Sequence, residues 1–279
     1  MTAATWRQHN IEFPGRGPAQ DTAAPELAPA LAAAHNDGVL SSWWFIRKAT
    51  FKLRYLVDDP ESTAIADLLD ELASEGRVVA HSTEVYEPET LAFGGDEAMD
   101  IAHALFHQDS RFLLGPAARP VMPALGHRET TVLLCSAMLR AAGLDWYEQG
   151  DVWHKVAQLR PAAPAATAPP PKASPARGMH RLMTVNVRGL CTPDGPLGRQ
   201  GDWITAFERT GQALARLARH GQLARGLRAV LAHHIIFHAN RAGLPAEDQS
   251  ALARLALDTV FTADTDPCLR SLQHQLRTT

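Results

Sequence analysis

Residues 42–57 read SWWFIRKATFKLRYLV. Ser42 to Lys48 and Phe51 to Val57 are runs of aromatic, β-branched and long apolar residues with a short connection between them, which predicts two strands and a tight turn. Successive strand residues point to opposite faces of a sheet. Phe51, Leu53, Tyr55 and Val57 therefore share one side, and Lys52 and Arg54 share the other. The first face calls for an apolar covering layer, while the second presents two cations.

Working outward, Trp6 to Phe13 reads as a further strand, and Pro25 to Asn36 as an Ala-rich helix ended near Gly38. Downstream, Ile65, Leu68, Leu69 and Leu72 mark one stripe of a helix over Pro60 to Glu75, with Asp59 and Pro60 as start signals and Gly76 as stop. Arg77 to Tyr86 returns to strand composition. The sum is β-α-β-β-α-β, the order of a ferredoxin-like antiparallel sheet with both helices on one face and the other able to stay free for a ligand. Gln8, Asn10 and Glu12 share a side of the first strand, and His81 and Thr83 share a side of the last with Val79 and Val85. The polar groups on the second face could bind a carboxylate or move a proton.

After Tyr86 the periodicity turns helical, over Asp96 to Leu114, Arg128 to Ala142 and Trp146 to Leu159. Pro161 to Arg177, PAAPAATAPPPKASPAR, has no periodic apolar face and reads as a linker. Met179 to Gly201 reads as irregular or extended. Trp203 to Arg219, Leu223 to Arg241 and Pro245 to Val260 read as three helices. The expected class is α+β, with a domain over 1–160 (sheet in 1–87, helices in 88–160), a linker over 161–178, and a helical lobe over 179–279 packed on the first part.

With 279 residues, 46% hydrophobic and 20% charged, the chain can bury a sizeable core without disulfides, and a disordered or collagen-like chain is excluded. A formal charge of -3 gives no general attraction for phosphate backbones, so direct nucleic-acid binding is not expected. Cys135, Cys191 and Cys268 are widely spaced and odd in number, as reduced thiols of a cytoplasmic protein are. No secretory signal opens the chain and no run of about 18 apolar residues occurs, so no membrane association is expected. His103 and His107, like His234 and His238, lie four residues apart. Neither pair carries the Glu of HExxH, so no metal is expected. GxGxxG, P-loop and GxSxG turns are absent, and no cofactor is expected either.

Four segments, in order, resemble the C-terminal region of lantibiotic dehydratases, also called the thiopeptide-type bacteriocin biosynthesis domain. Trp43-Trp44-Phe45-Ile46-Arg47-Lys48 followed by Phe51-Lys52-Leu53-Arg54-Tyr55 resembles W-F-F-I-R-Y and H-L-R-L-R-F. Val85 to Gly95, VYEPETLAFGG, looks like Y-E-x-E-x-x-R-Y-G-G. Leu105-Phe106 with Asp109-Ser110 is similar to L-F-x-x-D-S, and His238 to Gly243 to H-x-N-R-x-G. The match runs from Trp6 to Phe261 except for the linker.

The resemblance implies a stand-alone form of this region acting in the maturation of a ribosomally made peptide. A separate tRNA-dependent subunit would glutamylate Ser or Thr of the precursor, and this chain would expel glutamate to leave dehydroalanine or dehydrobutyrine. A divergent branch closes thiopeptide macrocycles by formal [4+2] addition, and a non-catalytic precursor-binding partner is the third reading. A homodimer is left open. Elimination from a weak carbon acid needs a base together with donors for the enolate, and Arg can grip the leaving carboxylate with two parallel hydrogen bonds. Carried over residue by residue, Arg54 and Lys52 occupy the basic positions of R-L-R, Glu89 the acidic position of E-x-x-R, and His238 the late histidine, with His234 one turn earlier as competitor. Two positions depart from the pattern. Ala92 stands in place of Arg, and Lys52, which cannot form a planar fork, stands in place of the first Arg of R-L-R. Arg47 is a further substrate-binding candidate that could compensate.

Overall fold

The hairpin at 42–57 forms as its alternation dictates. In the computed structural model, which describes residues 5–15, 27–47, 50–115, 125–161, 173–192, 195 and 197–261, β2 (Ser42–Arg47) pairs antiparallel with β3 (Phe51–Val57). Trp44 sits opposite Arg54, and Phe45 opposite Leu53. On its other side β3 pairs antiparallel with β1 (Thr5–Glu12), which pairs antiparallel with β4 (Ala80–Glu84). The strand order is β2-β3-β1-β4. Cys268, most of the proline-rich linker, Lys48 and the expected start of the first helix at Pro25 lie outside the described residues.

Helices α1 (Leu27–Asn36) and α2 (Ala64–Ser74) cover the face that the alternation marks as apolar. Leu27 and Leu31 of α1 and Ile65, Leu69 and Leu72 of α2 are buried with Ile11, Phe45, Leu53 and Tyr55 of the sheet. Each such side chain removed from water contributes roughly 1.5–3 kcal/mol before entropy is counted. Helix α2 starts four residues later than Pro60 suggests. The Asp59 carboxylate accepts from the Glu61 N–H at 2.9 Å, closing a turn that delays the helix. β4 is also shorter than its composition suggests, because Arg77 and Val78 donate their N–H groups to the Leu72 carbonyl at the end of α2, and Tyr86 leaves the sheet to pack among helices.

Those helices are α3 (Thr90–Phe93), α4 (Asp96–Leu114), α5 (His127–Ala141), α6 (Trp146–Leu159), α7 (Ala173–Thr184), α8 (Gly201–Arg219), α9 (Leu227–Arg241) and α10 (Ala246–Phe261), with short 3-10 turns at Val187–Leu190 and Gly198–Gln200. Trp44 and Ile46 project from the sheet into a second core with Phe93, Phe106, Met138, Trp153, Phe207 and Phe237. The second sheet face is thus the seat of the helical part and does not stand free. Helix α7 begins inside the segment read as linker and extends over Met179 to Thr184, the beginning of the stretch read as irregular. Its Pro175 lies in the first turn, where a missing N–H breaks no helical bond.

Helix α4 ties the layers together. His107 Nδ1 lies 2.8 Å from the Trp43 carbonyl, and Ser110 Oγ accepts from the Phe45 N–H at 3.2 Å, so side chains of α4 close the outer edge of β2. At the N-terminal end of α4, Gly94 and Gly95 turn the chain from α3 into α4 at φ of 99° and 113°. A side chain at Gly94 would meet Val230 and Leu223, while its carbonyl accepts from the Ala224 N–H at 2.8 Å. This pair brings the start of α4 against the approach to α9, and the conformation calls for glycine. No helix among the described residues is long and apolar enough to cross a membrane.

Candidate functional site

Strand register builds a row across the second face: Trp44, Arg54, Gln8 and Glu84 stand side by side on β2, β3, β1 and β4. Arg54 Nε donates to Gln8 Oε1 at 2.7 Å, and Gln8 Nε2 donates to Glu84 Oε2 at 2.8 Å. In the neighbouring row Lys52 Nζ donates to the same Glu84 oxygen at 2.9 Å. That bond, more than any other influence, holds the exposed Glu84 carboxyl below its ordinary value. Lys52 is therefore present beside Arg54 but engaged with a carboxylate.

The Arg54 guanidinium lies between two aromatic rings, its central carbon 4.5 Å from the Trp44 ring centre and 4.5 Å from that of Tyr86. Such stacking fixes the plane of the group and suits Arg far better than Lys. Burial lowers its pKa, and the Tyr86, Glu89 and Glu84 oxygens oppose that fall. No acceptor among the described residues takes a hydrogen bond from its two terminal NH2 groups. A half-buried arginine with its fork unfilled can receive a carboxylate through two parallel bonds.

Around this arginine stand groups that can handle protons. The Tyr86 hydroxyl lies 2.8 Å from His103 Nε2, and Trp6 packs on the His103 ring with centres 4.3 Å apart. Burial, reinforced by Arg54, lowers the His103 pKa to about 4, so the imidazole is neutral at pH 7. Glu89 is exposed at the N-terminal edge of α3 and makes no capping bond with its side chain. Its carboxylate acts electrostatically on Arg54, Tyr86 and His233, which places it between β3 and α9. His233 is only partly buried. Its Nδ1 lies 3.1 Å from the Ala229 carbonyl, which fixes that nitrogen as the donor and leaves Nε2 with a free lone pair. Burial lowers its pKa, the bond to the Ala229 carbonyl opposes that, and the smaller influences of Arg225 and Glu89 act downward and upward respectively.

The structure brings Arg54, Lys52 and Glu89 of the expected residues to one place. Arg47 pairs with Phe51 and lies on the opposite sheet face, beside the Phe45 ring, away from Arg54. His238 and His234 have no exposed surface. His238 Nδ1 is 3.0 Å from both Asp109 oxygens and its Nε2 is 3.2 Å from Thr131 Oγ1, so both nitrogens are engaged in the interior. His234 Nδ1 meets the Val230 carbonyl at 3.0 Å, its ring lies edge-on to Phe93, and burial lowers its pKa to about 4. Sequence reasoning passed over His233 and the partnership of Tyr86 with His103, and marked Gln8 only as one polar position of the sheet face. The HH doublet at 233–234 could have flagged the first, since neighbours on a helix face different directions. Arg225, also passed over, places Nη1 3.4 Å from the Ala92 carbonyl, which sets an exposed cation beside the position where the family pattern carries arginine. No group of three His, Cys, Asp or Glu suited to a metal occurs among the described residues.

The model of the family described as lantibiotic biosynthesis dehydratase C-term matches residues 6–274. The chain belongs to that family. Among solved structures, the tRNA-dependent lantibiotic dehydratase MibB from Microbispora sp. 107891 superposes with a TM-score of 0.62 at 20% identity, over 93% of this chain and 28% of MibB. The chain thus spans little more than a quarter of MibB's length. TsrL superposes with a TM-score of 0.62 at 13% identity over 95% of this chain and 96% of its own. At such identities the likeness to MibB and TsrL concerns the fold alone. No curated protein matches the chain. The description of that family ties the chain to lantibiotic biosynthesis.

Proposed function

We propose that the protein expels glutamate from glutamylated Ser or Thr of a precursor peptide, working after a separate tRNA-dependent glutamylating subunit. The observation that carries this reading is the Arg54 guanidinium, clamped between Trp44 and Tyr86 with its fork unfilled. A leaving carboxylate is the anion such a fork fits. In the reaction the Cα–H bond breaks, its electron pair becomes the Cα=Cβ bond, and the Cβ–O bond breaks with glutamate carrying its pair away. We assign the proton to His233 Nε2, oriented through Nδ1 by the Ala229 carbonyl and supported by the nearby Glu89 carboxylate. Arg225 adds a cation at the rim, and Lys52 holds Glu84 so that Gln8 can brace Arg54.

Purified protein given a synthetic peptide containing O-glutamyl serine should release glutamate and leave dehydroalanine, read by mass spectrometry. Arg54→Ala should lower turnover by about a hundredfold or more, with Arg54→Lys recovering little because it restores charge without the fork. His233→Ala should be comparably impaired, whereas His238→Gln should show its effect first in stability. Reaction only with a peptide carrying two dehydroalanines would instead assign [4+2] cyclisation, which Ala92 and Lys52 favour by thinning the cationic lining. Binding without any mass change would assign a precursor-binding role.

A further inference from the structure

Arg54 has one neighbour whose own placement depends on a second buried bond. Tyr86 lies in the connection from β4 to α3, outside any strand or helix, so the backbone by itself does not hold its ring. What holds it is the hydroxyl, 2.8 Å from His103 Nε2 on α4, with the His103 ring in turn packed against Trp6 of β1 at 4.3 Å. The Tyr86 ring also stands edge-on to Trp6 and to Trp44, both with centres 5.8 Å away. The imidazole is neutral at pH 7, so a single proton shared between the phenol oxygen and Nε2 makes the bond.

From this geometry we infer that Tyr86 and His103 form a positioning pair: the Tyr86–His103 hydrogen bond locks the ring that fixes the plane of Arg54, and so aims its two free NH2 groups at the incoming carboxylate. This rests on the reading of Arg54 as the carboxylate fork. Neither Tyr86 nor His103 need touch the substrate. Trp44 on the far side of the guanidinium and Tyr86 both belong to the packed core of the helical part, but of the two only the Tyr86 ring is also tethered by a polar contact, the one to His103. Gln8 fixes only Nε. Rotation of the fork about that bond is limited by the two rings alone, which is why the loss of the hydroxyl from a ring whose centre lies 4.5 Å from the guanidinium carbon should be felt at the site.

The test uses the full chain and two independent readouts. The first is the nitrogen-15 spectrum of the Arg54 side chain. It should show a hindered guanidinium with separate terminal NH2 signals in the wild type and rapid averaging in Tyr86→Phe, which keeps the ring and loses the hydroxyl. His103→Leu should match Tyr86→Phe, whereas His103→Gln, which restores an acceptor, should recover the hindered signals. The second readout is turnover of the O-glutamyl serine peptide. Tyr86→Phe should raise KM by about tenfold, in line with one lost buried hydrogen bond, and should add nothing in an Arg54→Ala background because the two residues act as one unit. Unchanged Arg54 signals in Tyr86→Phe, or additive effects in the double variant, would overturn the inference. A wild-type protein that never releases glutamate would overturn the elimination reading instead, and the spectra would still decide whether the pair orients Arg54.

Discussion

Asp109 has no exposed surface and is nevertheless ionised, because two opposed effects are of unequal size. Burial pushes its pKa up, while His238 and Arg241, each bonded to the carboxylate, more than reverse that. Arg241 Nε donates at 2.7 Å and the Trp203 indole N–H donates to the other oxygen at 2.8 Å, so one carboxylate on α4 fastens both α8 and α9. The D-S and H-x-N-R segments that carry the family resemblance thus meet in the interior, Asp109 as anchor of the helices and Ser110 as a cap on β2. Removing one partner of a buried pair costs more than the pair is worth, since the remaining charge stays desolvated. Asp109→Asn keeps the shape and strands Arg241, and should lose about 3–5 kcal/mol in urea unfolding. A loss under about 1 kcal/mol would show that the interior charge is compensated by other means. The same reasoning separates His238 from His233: substitution of the former should be read in stability, and of the latter in turnover.

At the scale of elements, a close helix contact between α8 and α5 is set by a missing side chain. Gly211 of α8 lies against α5 so tightly that an added Cβ would stand 2.2 Å from the Met138 carbonyl oxygen and 3.0 Å from the Ala142 nitrogen. Two effects compete in Gly211→Ala. Helix propensity favours alanine by about 1 kcal/mol, whereas forcing a methyl against backbone that cannot move aside costs about 1–3 kcal/mol. The clash should win, and the thermal midpoint should fall rather than rise. A rise would mean that the helices separate without penalty. Contacts of this kind explain what sequence could and could not show. Trp146 to Leu159 was readable to the residue because a long periodic stripe follows an Asp145 cap that closes a box with Glu148. The strands at 42–57 were readable from alternation alone. The start of α7 was not, because proline density masks a helix that tolerates Pro175 in its first turn. The covering of the second sheet face was not either, since Trp44 and Arg54 alternate like solvated positions and only tertiary packing distinguishes them. At the site, Arg54 and Glu89 were legible through their motifs, but nothing local marks His103 as the partner of a tyrosine seventeen positions earlier.

Across the whole molecule, the joint between sheet and helices is built with histidines that must stay neutral. His107 closes the edge of β2, His103 holds Tyr86, and His234 fills the space beside Phe93 and Phe106. Burial lowers each pKa from the ordinary 6.5 to about 4. The unfolded chain therefore binds more protons than the folded one between those values, and stability must rise with pH across that window. Its full contribution is present above pH 6.5 and drains away as the pH falls toward 4, at up to about 1.4 kcal/mol per pH unit for each histidine. The denaturation midpoint should accordingly stay level from pH 8 to about 7 and then drop steadily through pH 5. His107→Gln can keep a hydrogen bond to the edge of β2 while removing one titrating group, and should shallow that slope by up to about a third even if it lowers the plateau, the buried His9 and the partly buried His233 adding smaller shares. A midpoint that does not change between pH 7 and pH 5 would mean that these imidazoles are hydrated in solution, and the tight seat of the helical part on the sheet would have to be redrawn.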